Sequence, residues 1–173
     1  MAASPPQAVS IVLVGMPGCG KSTVGRHLAR QFGYRFTDSD SDIEARLGHS
    51  IREHFERYGE ASFRDLEQTV IGELSGEGRV VLATGGGAVL REVNRLALRR
   101  GGNRVVYLRS SPEELARRLR HDTQRPLLQG GDALKKLRDL FRVRDPLYRE
   151  VAHYVIDAGR TSLPTLVNLV AMQ

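Results

Sequence analysis

Five short runs of apolar, β-branched and aromatic residues punctuate the chain, at 10–14, 34–37, 79–83, 104–108 and 153–157. Their length and composition predict strands, the second ending at Asp38. Longer amphipathic stretches separate them. Helices are predicted from 24 to 32, 39 to 47, 50 to 58, 60 to 74, 91 to 100, 111 to 120, 133 to 144 and 163 to 172. In the fourth, Phe63, Leu66, Val70, Ile71 and Leu74 share one face. The boundaries carry their own signals. Gly48 is a C-cap, Ser50 and Ser111 are N-caps with Glu53 and Glu114 three residues on, and Pro112 takes the first helical position. Gly59 should break the path between two helices, and Pro146 should stop the helix that starts at 133. The segment 121–132 is polar, carries Pro126, Gly130 and Gly131, and reads as a loop.

Strands that alternate with helices predict a parallel sheet covered on both faces, an α/β fold. In such folds ligands bind beyond the carboxyl ends of the strands. Four places should therefore meet in one cleft: the loop after the first strand, Asp38 and Asp40 after the second, Gly85-Gly86-Gly87 after the third, and the loop at 121–132.

The first of these carries the most specific chemistry. Gly15-Met16-Pro17-Gly18-Cys19-Gly20-Lys21-Ser22-Thr23 fits G-x-x-x-x-G-K-[ST], between a buried strand and a helix. Glycines let the backbone turn its N–H groups onto phosphate oxygens, and the helix adds its positive dipole end. Lys21 can reach the β- and γ-phosphates, and the Ser22 hydroxyl can ligate Mg²⁺. The alternative, a Gly-rich turn that binds nothing, leaves that combination unexplained. Asp38 and Asp40 would face one side if the chain is still extended there; one could hold Mg²⁺ and the other could accept a hydroxyl proton. Equally, Asp38 or Ser39 could cap the next helix. Arg64 alone reads as a surface arginine with i,i+3 partners. Three consecutive glycines mark a close approach to backbone. Arg125 sits in the polar loop, and Arg144 could simply cap a helix C-terminus.

With 173 residues, 40% hydrophobic and 27% charged, a single soluble domain over 1–173 is expected. The net charge of +6 comes mostly from scattered Arg, which suits small anions. There is no basic block and no Trp, so a nucleic-acid-binding switch lacks its stacking platform. The single cysteine, Cys19, rules out an intramolecular disulfide and reads as a small residue filling a variable P-loop position. Residues 1–8 lack a secretory h-region, and no apolar run reaches 18 residues, so no membrane association is expected and a cytoplasmic protein is.

Taken in order, Phe36-x-Asp38-x-Asp40, Gly59-Glu60-x-x-Phe63-Arg64, Gly85-Gly86-Gly87-Ala88, Arg125-Pro126-Leu127-Leu128 and Arg144-x-Pro146-Leu147-Tyr148 resemble the shikimate kinase family over about residues 9–171. The resemblance implies a three-layer αβα P-loop kinase fold with strand order 2-3-1-4-5. It also implies a lid at about 121–132 and a substrate-binding region at about 39–67. The implied reaction is ATP-dependent phosphorylation of the shikimate 3-hydroxyl, on the route to chorismate and the aromatic amino acids, with Mg²⁺. By the same resemblance Gly18, Cys19, Gly20, Lys21, Ser22, Thr23, Arg117, Arg125 and Arg160 bind ATP. Ser22 ligates the metal, with Asp38 acting through water. Asp40, Arg64, Gly85, Gly86, Gly87 and Arg144 bind shikimate, the two arginines taking its carboxylate, and Lys21, Asp40 and Arg125 are catalytic. A monomer that binds no nucleic acid is expected. Another small-molecule P-loop kinase, such as a gluconate kinase, is the alternative; it shares the P-loop but leaves the two arginines without a purpose.

Overall fold

The computed structural model describes residues 9–119, 132–159 and 161–172. Five parallel strands form one sheet: β1 (Ile11–Val14), β2 (Arg35–Asp38), β3 (Val80–Ala83), β4 (Arg104–Arg109) and β5 (Tyr154–Asp157). Their order is β2-β3-β1-β4-β5, as the resemblance implied. Val12 of β1 lies opposite Leu82 of β3 on one side and Val105 of β4 on the other. The central strands are buried along most of their length, whereas edge strands β2 and β5 are largely accessible. That gradient explains why the inner strands read as continuous apolar runs and β2 as Arg-Phe-Thr-Asp.

Crossover handedness sets the layers. From β1 the chain crosses through α1 (Lys21–Phe32) to β2 at one edge; every later crossover moves the other way. Right-handed connections therefore put α1 on one face. The opposite face takes α2 (Ser39–Leu47), α3 (Ile51–Leu74), α4 (Glu92–Leu98), α5 (Pro112–Leu119) and α6 (Ala133–Val151). The last helix, α7 (Leu163–Ala171), returns to pack on α1. The core is continuous through both layers, with Leu13, Leu28, Ile71, Leu82, Leu108 and Leu115 fully buried. Gly25 brings α1 close to β2, since a Cβ there would fall 2.7 Å from the Phe36 ring.

The predicted helix ends largely hold. Gly48 closes α2 at φ 75°, and Ser50 Oγ accepts from the Glu53 amide at 3.1 Å. Ser111 and Glu114 form a reciprocal capping box, each accepting the other's amide at 3.2 Å. The predicted helices at 50–58 and 60–74 are the two arms of α3, kinked at Gly59 (φ 82°, ψ 173°). A short 3-10 turn, Arg100–Gly102, takes the place of the end of the predicted 91–100 helix.

One prediction fails. The helix expected to stop before Pro146 runs on to Val151. Proline has no N–H and removes one internal hydrogen bond, but packing beyond it compensates: Tyr148 and Val151 are buried on the face that carries Leu137. Arg144 is therefore an interior helical residue, and its reading as a C-terminal cap is overturned.

Candidate active site

A cavity of about 560 Å³ opens at the carboxyl ends of β1, β2 and β3. Three of the four places predicted to converge do so; the fourth, at 121–131, falls outside the described residues, as do Arg125 and Arg160.

One wall is the P-loop, contributing Pro17, Gly18, Gly20, Lys21, Ser22 and Thr23. Gly20 stands at the N-cap of α1 with φ 98°, a left-handed conformation that turns the chain into the helix. Lys21 is nearly buried, and its Nζ donates to the carbonyls of Gly15 (2.7 Å) and Met16 (3.0 Å). The ammonium is thus held over the loop by backbone rather than paired with a carboxylate. Cys19 is fully buried beneath the loop, with Sγ 3.7 Å from Lys21 Nζ, in keeping with a small residue filling the turn.

The second wall comes from β2 and α2. Asp38 takes the capping role weighed for it and also reaches the P-loop. Its Oδ1 caps α2, accepting from the amides of Asp40 (2.9 Å) and Ser41 (3.2 Å), while its Oδ2 accepts from Ser22 Oγ at 2.6 Å. A hydroxyl and a carboxylate brought together beside the P-loop are hard oxygen donors, the set that suits Mg²⁺. The chain is not extended through Asp40, which already lies in the first turn of α2. Helix formation swings its carboxyl toward the glycine triplet: a Cβ on Gly85 would fall 2.5 Å from Asp40 Oδ1. That oxygen is buried without a hydrogen-bond partner among the described residues. Burial, then the charges of Asp38 and Glu67, push the Asp40 carboxyl up to about 6 against the opposing pull of Lys21 and Arg64.

Arg64 and Arg144 form the third side with the glycines. Arg64 is not a surface residue; its side chain is 12% exposed. It donates to Glu67 Oε1 at 2.9 Å and lies so close over Gly87 that any Cβ there would collide with the guanidinium. Arg144 Nη1 would sit 3.1 Å from a Cβ on Gly86. Two guanidinium groups over unhindered backbone make a fork for a carboxylate. The Gly85 amide already donates to Ser39 Oγ at 3.0 Å, so Gly85 serves by its lack of a side chain. Ile51, Phe63 and Pro17 add apolar surface to the same cavity.

Two residues of the site escape sequence reasoning. Glu67 is 1% exposed, and burial raises its carboxyl against the pull of Arg64 and Arg144. Its one signal was the i,i+3 spacing from Arg64, common on any helix surface. At the nucleotide end, Arg117 and its neighbour Arg118 are both exposed on α5, and it is Arg118 that donates to the carbonyls of Cys19 (3.3 Å) and Ala158 (2.9 Å). A single step along a helix turns the side chain by about 100°, and the periodicity did not settle which arginine faces the P-loop.

Comparison with known proteins agrees with this geometry. The family model for shikimate kinase matches residues 17–171. A shikimate kinase of Paracidovorax citrulli is 59% identical over 169 residues, covering 95% of this chain and 91% of that protein. The solved structure of shikimate kinase from Acinetobacter baumannii in complex with shikimate superposes with a TM-score of 0.89 at 44% identity, covering 96% of this chain and 93% of that one. A gluconokinase from Sinorhizobium meliloti shares the fold, at TM-score 0.64 and 24% identity over 96% of this chain and 91% of the other.

Proposed function

The chain belongs to the shikimate kinase family, and on that premise we propose how the cavity moves the γ-phosphoryl group of ATP to the 3-hydroxyl of shikimate. The observation that carries the assignment of roles is the placing of Arg64, Arg144 and Asp40 in one cavity with the P-loop. Gluconate has a carboxylate and hydroxyls too. What favours shikimate is the similarity in sequence, with the apolar surface of Ile51, Phe63 and Pro17 suited to one face of a ring.

The P-loop amides and the dipole end of α1 hold the β- and γ-phosphates of ATP. Lys21, freed from the Gly15 and Met16 carbonyls, follows the charge as it spreads over the transferring oxygens. Ser22 and Asp38 would hold Mg²⁺, which supplies charge neutralisation between the phosphates when bound. At the other end Arg64 and Arg144 take the shikimate carboxylate, and Glu67 fixes the Arg64 fork. The Gly86 and Gly87 backbone and Asp40 orient the ring hydroxyls. With its carboxyl at about 6, Asp40 is ionised at neutral pH yet basic enough to accept the 3-hydroxyl proton as the new P–O bond forms. Arg125, with the segment at 121–132, is assigned to the phosphates and to closure over the site. Arg117 and Arg160 remain assigned to the adenine end, where Arg118 is the residue that touches the P-loop.

A single domain acting as a monomer completes this reading. Among the described residues no helix is long and apolar enough to cross a membrane. The need for ATP favours the cytoplasm.

The test is ADP release from Mg-ATP with shikimate, quinate, gluconate, AMP or no acceptor. Turnover with shikimate well above the rest is expected. Greater turnover with another acceptor would void the roles given to Arg64 and Arg144.

A further inference from the structure

Beyond Pro146, α6 places a fully buried tyrosine, Tyr148, one turn from Arg144 and on the same face. Its hydroxyl donates to the Gly86 carbonyl at 2.5 Å. The Arg144 guanidinium lies beside the same glycine, its Nη1 3.1 Å from where a Gly86 Cβ would stand, and acts electrostatically on the phenol. The hydroxyl therefore joins two neighbouring groups of the acceptor pocket: the guanidinium that faces the carboxylate and the glycine backbone that faces a ring hydroxyl. We propose that Tyr148 is a positioning residue that sets the separation of these two groups and so tunes affinity for the acceptor. This rests on the shikimate reading above.

The surroundings suit that role. The Tyr148 ring packs on the Tyr107 ring, with centroids 4.9 Å apart and planes tilted by 40°. Tyr107 is itself tethered by a 2.7 Å hydrogen bond to Asp145 Oδ1. Asp145 is held by Arg109 at 3.3 Å and Arg149 at 3.1 Å. The Tyr148 ring cannot rotate without breaking its contact with the Tyr107 ring, a contact that does not need the Tyr107 hydroxyl, so the Tyr148 hydroxyl is a fixed point. Gly86 has no freedom on its other side, where a Cβ would fall 2.8 Å from Pro17 Cδ. Burial keeps the phenol protonated far above the usual tyrosine range, so it remains a donor at any working pH.

The experiment compares Tyr148→Phe with the wild type. The ring and its packing stay; only the hydroxyl goes. Expected is about a tenfold rise in KM for shikimate, one hydrogen bond's worth by the usual magnitude, with KM for ATP within about twofold. Tyr107→Phe is the control, because its hydroxyl touches neither Gly86 nor Arg144. It should leave both KM values unchanged even where it lowers the unfolding temperature. In addition, Tyr148→Phe placed on an Arg144→Ala background should raise KM for shikimate less than it does alone. The thermal shift given by saturating shikimate is a second readout that tolerates a destabilised variant, and it should shrink in Tyr148→Phe. An unchanged shikimate KM and thermal shift in Tyr148→Phe, or an equal rise in Tyr107→Phe, would overturn the proposal while leaving the kinase reading intact. A wild-type protein that fails to phosphorylate shikimate would overturn both.

Discussion

Replacing Asp40 by Asn should make the unliganded protein more stable and nearly inactive, and the size of the first effect follows from the site. The Asp40 carboxyl titrates at about 6 in the fold against an ordinary 3.8. The rise means that the folded chain binds this proton more tightly than the unfolded chain does. Stability from this group is fully present below about pH 4, falls as pH rises through about 6, and is gone above it. At about 1.4 kcal/mol per pH unit, the ionised carboxylate costs the fold about 3 kcal/mol at pH 8, an upper figure because one side of the group faces the open cavity. Asparagine keeps the shape, carries no charge, and turns an amide toward the carboxylates of Asp38 and Glu67. For a chain of this size the gain corresponds to about 5–10 °C in the unfolding midpoint. The assay is thermal and urea unfolding of both proteins without ligands at pH 5 and pH 8, since ligands would add their own stabilisation. The advantage of Asp40→Asn should be full at pH 8 and roughly half as large at pH 5. Turnover should move the other way. Loss of the base should lower kcat by about 10²-fold or more, with a smaller change in KM. Wild-type kcat/KM should fall tenfold per pH unit below about 6. An Asn variant no more stable at pH 8, or an advantage independent of pH, would refute the account of Asp40 as a buried, repelled carboxylate. Unchanged kcat would refute the base.

Three further outcomes are expected. Lys21→Ala removes the cation that follows the transferring phosphoryl group, and kcat measured by ADP release should fall by orders of magnitude. Arg64→Ala should raise KM for shikimate by about 10²-fold, the loss of a bidentate contact of about 3 kcal/mol, while calorimetry shows ATP affinity nearly intact; equal loss of both would contradict the carboxylate fork. Gly87→Ala pushes a methyl into the Arg64 guanidinium, which Glu67 holds in place, so steady-state kinetics should show a raised shikimate KM and an unaltered ATP KM.

Local rules carried far along this chain because each β–α unit follows its own periodicity and caps. The P-loop between a buried strand and a helix, the break at Gly59 and the capping box at Ser111 all depend on residues within a few positions of one another. Such features are legible in a sequence for that reason. The parallel α/β class followed from alternation, and the strand order and acceptor from the resemblance to a family. Sequence alone thus determined which loop is built to take a phosphate, which acids and arginines were candidates, and that their strand ends should meet.

What only the tertiary structure decided depends on contacts between distant segments. Pro146 is a helix breaker by every local rule, yet α6 passes through it because Tyr148 and Val151 are buried beyond it. That continuation turns Arg144 from a cap into a wall of the site and puts Tyr148 against Gly86, 62 positions away. Asp40 owes its raised carboxyl to burial beside Asp38 and Glu67, and Arg64 owes its low exposure to the glycine triplet it covers. A charge is stabilised or penalised by what surrounds it in space, and periodicity along a chain carries no record of that.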